Sequence, residues 1–228
     1  MAYNIIAENE SYTIVSDYQA VYRTSEKYQT EAQLEQELIK NLTEQGYEYL
    51  AIHTEKDLVD NLRVQLQRLN NYTFTDSEWE RFFNDVIANQ NEGIEAKTAK
   101  IQESHIQVLK RDTGETKNIY LIDKRNIHNN YLQVINQYEE EQGNHDARYD
   151  VSILVNGLPL VHIELKRRGV QLKEAFNQID RYQRDSFWAG CGLYEYVQIF
   201  VISNGTNTKY YSNSTRFNHI KEQERSKN

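Results

Sequence analysis

Three residues in the second half of the chain have the types and spacing needed for hydrolytic chemistry at a metal ion. Asp150 begins one apolar segment, and Glu164 and Lys166 end the next segment. Two carboxylates held close together repel each other, which raises the pKa of one of them unless a cation joins them. Carboxylate oxygens suit Mg²⁺, which keeps several waters for chemistry. The residues therefore predict a divalent-metal site at which Lys166 orients a water or neutralises developing charge.

The two segments that carry these residues are predicted to form a β-hairpin. A three-residue loop over 156–158, whose central glycine can take a positive φ, pairs Val155 with Pro159. Paired residue numbers then have a constant sum, so Asp150 lies opposite Glu164. The register brings both carboxylates together although fourteen positions separate them in the chain.

The same register sorts the side chains of the hairpin onto two faces. Alternation places both carboxylates, Ser152, His162 and Lys166 on a polar face. The opposite face is apolar and is formed by Val151, Ile153, Val161 and Ile163. We expect Leu165 to point into the core, so that only its backbone carbonyl could serve as a further metal ligand. A single histidine such as His162 is more often a neighbour of a metal site than a ligand.

A helix is predicted directly after the hairpin, over 171–185. Gln178 and Tyr182 are one turn apart on it and so share one face. From Glu164 to Arg184 the chain has six basic and three acidic residues, a local charge of +3. Arg167, Arg168 and Lys173 belong to this basic segment and are candidates for phosphate contacts, although they could simply be solvated.

Composition limits the classes of protein to which the chain can belong. Its 228 residues are enough for one α/β domain with a sizeable core, and its single cysteine excludes an intrachain disulfide. It has no apolar run long enough to span a membrane and no secretory signal, so we expect a cytoplasmic protein. The net charge of −8 predicts poor affinity for DNA unless another component delivers it.

The remaining pattern predicts an α/β fold with a mixed sheet. Apolar residues at helical spacing indicate helices over 30–46, 57–69 and 76–87, and residues 1–28 are expected to form an arm or irregular lead-in. Further strands are predicted at 47–52, 106–110, 119–122, 131–138, 149–155, 160–165, 196–203 and 209–212.

An Asp opposite a Glu-x-Lys across a hairpin, followed by a helix, resembles the PD-(D/E)XK nuclease superfamily. The Gln178-x-x-x-Tyr182 pattern is similar to that of RecB-type nucleases, where it contacts DNA or positions the active site. The resemblance implies a restriction-endonuclease-like core with N-terminal helical additions. It also assigns Glu35, eleven residues before Gly46, to the place where related resolvases put a metal-side Glu. A solvent-side role for Glu35 is an equal alternative.

Longer stretches resemble the N-terminal domain of the restriction subunit of type I restriction–modification enzymes. They are YQTEAQLEQELI (28–39), DSEW (76–79), NIYLIDK (118–124), RYDVSILVNGLPLV (148–161), EAFNQI (174–179) and QIFVISNGT (198–206). This resemblance implies Mg²⁺-dependent cleavage of double-stranded DNA and assembly with methyltransferase and specificity subunits. It also implies a motor domain that uses ATP, whereas this chain has no G-x-x-x-x-G-K-[ST] loop.

The expected organisation is an arm over 1–28, an endonuclease domain over 29–212 and the start of a linker over 213–228. Two other functions stay open at this point. A stand-alone repair nuclease of the RecB or resolvase type would have to bind DNA unaided, which the negative charge disfavours. A catalytically silent docking domain between motor and methyltransferase would not need Asp150, Glu164 and Lys166 together.

Overall fold

A computed structural model describes residues 4–8, 14–17, 29–140, 142–143 and 147–213. For 4–8, 14–17 and residue 184 only the backbone is described. Within these residues the chain forms ten strands and five α-helices, which confirms the predicted α/β class. No helix in the described part of the chain is both long enough and apolar enough to cross a membrane.

The centre of the fold is a six-stranded mixed sheet with the strand order β10-β9-β8-β7-β6-β3. Its strands are β3 (Glu48–Tyr49), β6 (Leu132–Glu140), β7 (Ala147–Val155), β8 (Leu158–Leu165), β9 (Ile199–Ser203) and β10 (Thr208–Ser212). The pairs β3–β6 and β8–β9 are parallel, and the other three pairs are antiparallel. The two strands that carry the candidate site, β7 and β8, therefore lie in the middle of the sheet.

Helices cover both faces of this sheet. They are α1 (Glu31–Glu44), α2 (Glu55–Asn70), α3 (Asp76–Phe82), α4 (Ile94–Gln102) and α5 (Leu172–Asp185). A hydroxyl at the N-cap starts each of the first three: the side chains of Thr30, Thr54 and Thr75 each accept an amide hydrogen bond from the first turn. In α1 and α3 the third helical residue returns a bond to complete a capping box.

The two faces of the sheet bury separate apolar clusters. On one face, α1 packs against Val134, Val151, Ile163 and Leu165. On the other face a larger cluster joins the sheet to α2, α3, α4 and α5. Leu165 is buried as expected.

The polar face of the hairpin is enclosed within the fold. Ser152, His162 and Glu164 are all buried. Aromatic side chains from α5 and from the segment that follows it, including Phe187, cover this face. Such coverage depends on contacts distant in sequence, so alternation within the hairpin could not predict it.

The hairpin register matches the prediction near the site and differs from it at the turn. Ser152 pairs with His162 as predicted, but Val155 pairs with Leu158 instead of Pro159. Asn156 and Gly157 both have a positive φ and form a two-residue turn, which suits the twist of a hairpin. The register then shifts by one residue between Ile153 and Leu154, as in a β-bulge, and this restores the predicted pairing.

Other elements differ from the sequence-based expectations. The irregular lead-in contains a two-stranded antiparallel sheet, β1 (Asn4–Glu8) with β2 (Ile14–Asp17). Helix α4 was not predicted, since its apolar residues form no clear stripe. The strands β4 (Ile106–Lys110) and β5 (Thr116–Tyr120) form a hairpin. The first lies where it was predicted, and the second begins three residues before the strand predicted at 119–122. A π-helical turn, Phe83–Ile87, continues α3, and a 3₁₀ turn, Leu193–Tyr196, replaces the start of the strand predicted at 196.

Candidate active site

The candidate site lies where β7 separates from β8. The pair farthest from the hairpin turn is Val151 with Ile163, so Asp150 lies just beyond the paired part of β7. The backbone amide of Leu165 donates a hydrogen bond to Asp150 Oδ2, over 2.8 Å. The aspartate side chain thus bridges the gap between the two strands and is fixed beside the end of β8.

Glu164 and Lys166 lie on the β8 side of this gap. Lys166 Nζ donates to Glu164 Oε1 over 2.8 Å and to the carbonyl oxygen of Leu165 over 3.1 Å. Glu164 is fully buried, whereas Lys166 is partly exposed. The Lys166 amide donates to Ser203 of β9 over 2.8 Å, which holds the end of β8 in the sheet. The structure therefore brings together the three residues of the predicted catalytic core.

The electrostatics of Asp150 reflect the crowding of two carboxylates. Burial, followed by the nearby charge of Glu164, raises the pKa of Asp150 from 3.8 to about 7. The Leu165 amide and the charge of Lys166 act in the opposite direction but do not offset these effects. Near neutral pH a proton therefore competes with any cation for this carboxylate.

The chemistry of the donor set fits a hard divalent cation. Asp150, Glu164 and the Leu165 carbonyl supply oxygen ligands of the type that Mg²⁺ prefers. Glu164 Oε2 is buried and has no hydrogen-bond partner within the part of the chain that the structure describes. No group of three or more His, Cys, Asp or Glu side chains among the described residues is placed to hold a metal ion. Two carboxylates and a carbonyl would thus leave coordination positions for water.

Helix α5 is joined to the start of β7 through Tyr182. Its hydroxyl donates to the carbonyl oxygen of Arg148 over 2.8 Å and accepts a hydrogen bond from Gln178. Tyr182 is buried, and its burial raises the pKa of the hydroxyl well above the usual value. Arg148 is two residues before Asp150, so the predicted Gln178 and Tyr182 pair has a direct connection to the strand that carries the aspartate.

These groups line an open cleft of about 700 Å³. The predicted members of its wall are Asp150, Lys166, Gln178 and Tyr182. The other residues of the wall, which the sequence pattern does not single out, are Glu31, Ala147, Arg148, Arg181, Asp185 and Ser186. Arg181 lies within the Gln178-x-x-x-Tyr182 pattern, and Glu31 is one helical turn before Glu35, so helical spacing could have indicated both.

The two acidic residues of α1 have different surroundings. Glu31 lines the cleft, and its Oε1 accepts the backbone amide of Arg167 over 3.1 Å. Glu35 is nearly buried, and its carboxylate oxygens accept hydrogen bonds from the side-chain amides of Asn136 and Gln137 on β6. Glu35 is not part of the cleft wall. Its predicted metal role therefore stays a prediction, and Glu31 is the α1 carboxylate that reaches the cleft.

The basic residues predicted to contact DNA are distributed over two places. Arg167 is exposed at the end of β8. Arg168 and Lys173 line a second cleft of about 810 Å³, together with Lys209 of β10. The lining of this second cleft contains three cationic side chains and no acidic one. Because Arg168 is two residues beyond Lys166, the basic cleft begins next to the candidate site.

The sheet, its helices on both faces and the Asp150, Glu164 and Lys166 set at the separation of two central strands are consistent with a PD-(D/E)XK-like nuclease core. Comparison with known families then gives a specific assignment. Residues 28–219 match the family described as "Type I restriction enzyme R protein N terminus". The match covers most of the chain, and the protein belongs to this family.

Individual relatives agree with the family assignment. The chain is 47% identical over 212 residues to the type I restriction enzyme EcoprrI endonuclease subunit of Escherichia coli. It is 40% identical over 192 residues to the SsaAORF53P endonuclease subunit of Staphylococcus saprophyticus. A putative type I endonuclease subunit of Methanocaldococcus jannaschii, MjaIXP, is 35% identical over 109 residues.

The matches differ in how much of each relative they cover. The E. coli match includes 92% of this chain and 67% of the relative. The S. saprophyticus match includes 82% of this chain but only 20% of the relative, and the M. jannaschii match includes 45% and 10%. The chain thus corresponds to a limited part of the longer relatives.

Proposed function

We propose that this chain is the DNA-cleaving domain of a type I restriction enzyme and that it hydrolyses phosphodiester bonds with the help of Mg²⁺. The observation that carries the proposal is the placement of Asp150, Glu164 and Lys166 together: Asp150 and Lys166 line one cleft, and the buried Glu164 is bonded to Lys166. Membership of the type I R-protein family and the names of the relatives support the same activity.

Asp150, Glu164 and the Leu165 carbonyl are the proposed metal ligands. When bound, Mg²⁺ would lower the pKa of a coordinated water and stabilise the charge on the leaving oxygen. Lys166 has the proposed role of orienting the attacking water and balancing negative charge on the phosphate. Its Nζ lies 2.8 Å from Glu164 Oε1, so the carboxylate fixes the position of the ammonium group. The hydrogen bond from the Leu165 amide likewise orients Asp150.

The surroundings of the site support a polyanionic substrate. The wall of the first cleft carries Arg148 and Arg181 as well as the carboxylates of Glu31 and Asp185, so the excess of positive charge lies in the second cleft, with Arg168, Lys173 and Lys209. Contacts of this kind bind phosphate oxygens and carry no direct sequence information. We therefore propose that the domain cuts double-stranded DNA with no sequence preference of its own. Gln178 and Tyr182 are proposed to steady the site, since their hydrogen bonds lead to the carbonyl of Arg148.

The remaining parts of the proposal concern the whole enzyme. The net charge of −8 favours an arrangement in which other parts of a complex hold the DNA. We propose that these are a motor domain that uses ATP and the methyltransferase and specificity subunits, all in the cytoplasm. The proposed domain division is an arm over 1–28, the endonuclease over 29–212 and a linker from 213. The last strand of the sheet, β10, ends at Ser212, which supports the second boundary.

The proposal is tested by DNA cleavage with the reassembled full-length complex. Wild type is compared with Asp150→Ala and Lys166→Ala, and ATP hydrolysis is measured in parallel. Asp60→Ala serves as the control, because Asp60 is an exposed carboxylate on α2 that pairs only with Lys56 among the described salt bridges. We expect both site variants to lose DNA cleavage while ATP hydrolysis and the control are unchanged. Undiminished cleavage would contradict the site assignment and favour a docking domain.

A further inference from the structure

His162 is the most deeply enclosed imidazole near the candidate site. It is fully buried, on β8, two residues before Glu164. Aromatic rings surround it, with centroid separations of 5.5 Å to Tyr149, 5.6 Å to Phe187 and 6.0 Å to Tyr182. Neither of its ring nitrogens has a hydrogen-bond partner within the described residues. A buried polar group without a partner is uncommon in folded proteins and destabilises them, which calls for a compensating role.

The imidazole faces a second buried polar atom without a partner. His162 Nε2 lies 3.6 Å from Glu164 Oε2, and this oxygen accepts no hydrogen bond from any described residue. The other oxygen of the same carboxylate, Oε1, accepts from Lys166. Because alternate residues of a strand point to the same face, the backbone of β8 itself holds His162 and Glu164 side by side.

A packing role alone does not account for this arrangement. Leucine or phenylalanine would fill an aromatic enclosure without leaving two polar nitrogens unsatisfied. A direct role as a metal ligand does not fit either, since aromatic rings close off His162, whereas Glu164 is bonded to Lys166 at the cleft. The Nε2 of His162 faces Glu164 Oε2 at 3.6 Å, and this is the carboxylate that we assign to the metal.

We propose that His162 is a positioning residue that directs an Nε2–H group at Glu164 Oε2 and so fixes the orientation of this carboxylate. A carboxylate oxygen has two lone pairs, so Oε2 can accept from the imidazole and still serve a cation. Hydrogen bonds to a ligating carboxylate set its orientation, and their loss commonly lowers metal affinity by about 10–100-fold. The inference rests on the metal role of Glu164 in the proposed function.

The first test uses the metal-free chain. Nitrogen-15 NMR of the histidine side chains shows which ring nitrogen carries the hydrogen. The signals of His162 are assigned as those that are absent from the spectrum of His162→Gln. We expect the hydrogen on Nε2. A hydrogen found on Nδ1 alone would overturn the proposal, because an Nε2 lone pair would then face the carboxylate.

The second test measures Mg²⁺ affinity by calorimetry for wild type, His162→Leu and His162→Gln. We expect His162→Leu to weaken binding about tenfold or more, and His162→Gln to restore most of it, since the glutamine amide can donate to Glu164. Tyr194→Phe is the matched control. Tyr194 also packs on the His162 ring, and its hydroxyl interacts with Ser152 and not with Glu164.

The outcomes separate this inference from the proposed function. Equal Mg²⁺ affinity in wild type and His162→Leu would refute a positioning role, provided that Asp150→Ala still abolishes binding. If the wild-type chain binds no Mg²⁺, the metal site itself fails and the position of the ring hydrogen alone decides the role of His162. If His162→Leu does not fold, the comparison of His162→Gln with wild type and the NMR result keep the test decisive.

Discussion

The Leu165 amide and the Asp150 carboxylate, joined by a 2.8 Å hydrogen bond, link β8 to β7 beyond the last residue pair of the two strands. An amide at this place in a regular ladder would donate to a backbone carbonyl. Here it donates to a side chain, which leaves the strands apart and keeps the carboxylate near Glu164. The site is therefore assembled at the cost of bringing two carboxylates together in a partly buried place.

Burial of Asp150 and its repulsion from Glu164 predict that Asp150→Asn stabilises the metal-free protein at alkaline pH. The pKa of Asp150 is raised from 3.8 to about 7, so its contribution to stability is fully present below 3.8 and is lost as the pH rises through about 7. Asparagine keeps an oxygen for the Leu165 amide but carries no charge. At pH 8 we expect the variant to gain about 1–3 kcal/mol in free energy of unfolding relative to wild type.

Urea unfolding at pH 5 and pH 8, with and without Mg²⁺, measures this effect. The difference between variant and wild type should be larger at pH 8 than at pH 5, and Mg²⁺ should stabilise only the wild type. Asp60→Asn on the exposed surface of α2 is the control and should change neither result. A less stable Asp150→Asn at pH 8 would show that burial and the charge of Glu164 do not dominate at this position.

The pairing of Asp150 with the end of β8 also shows how far sequence can predict a site. The alternation of apolar residues around Ser152 and His162 allowed one register only, and the structure has this register over residues 151–153 of β7. The turn could not be predicted in the same way, because Asn156 adopts a left-handed conformation and a bulge takes up the additional residue. Gly157 has a φ of 85°, and a Cβ there would lie 2.6 Å from the Cα of Leu62 on α2.

Features that depend on distant contacts were not predictable. The cover over His162 includes Tyr182 of α5 and Phe187, which are twenty and twenty-five positions later in the chain. Similarly, the choice between Glu31 and Glu35 at the cleft depends on how α1 lies against the sheet. Both residues are on the same side of that helix, so spacing alone does not distinguish them.

Lys166 leads to a second prediction, in which metal binding and cleavage change in opposite directions. Its ammonium group bonds to Glu164 Oε1 and to the Leu165 carbonyl, both of them proposed metal ligands. Lys166→Met removes a positive charge next to the cation, so we expect Mg²⁺ to bind several-fold more tightly. DNA cleavage by the full complex should fall by about 10²–10⁴-fold, because the water loses its orienting group.

Calorimetry on the chain and cleavage assays on the complex test this prediction separately. Lys110→Met provides a comparison, since Lys110 is an exposed lysine on β4, away from the cleft. Weaker Mg²⁺ binding in Lys166→Met would mean that Lys166 supports the ligands more than it repels the cation. Full cleavage activity would remove Lys166 from the mechanism.

A third prediction separates the roles of Tyr182 and Gln178. Tyr182→Phe removes the hydrogen bond to the Arg148 carbonyl from a buried place, and we expect a loss of about 1–2 kcal/mol in unfolding free energy. Gln178→Ala should lose less than about 1 kcal/mol, because Gln178 is partly exposed and donates to Tyr182. Urea unfolding measures both values, and the reverse order would show that Gln178 has the main structural role.

The two carboxylates of α1 provide the last prediction. Glu35 accepts hydrogen bonds from Asn136 and Gln137, so Glu35→Ala should destabilise the chain by about 1–3 kcal/mol. Glu31 lines the cleft and accepts from the Arg167 amide, so Glu31→Ala should lower cleavage by the complex with a smaller loss of stability. Urea unfolding and Mg²⁺ calorimetry on both variants distinguish a structural role from a role at the metal site. A metal role for Glu35 requires that Glu35→Ala also weakens Mg²⁺ binding. Lower stability with unchanged affinity would assign Glu35 to holding α1 against β6.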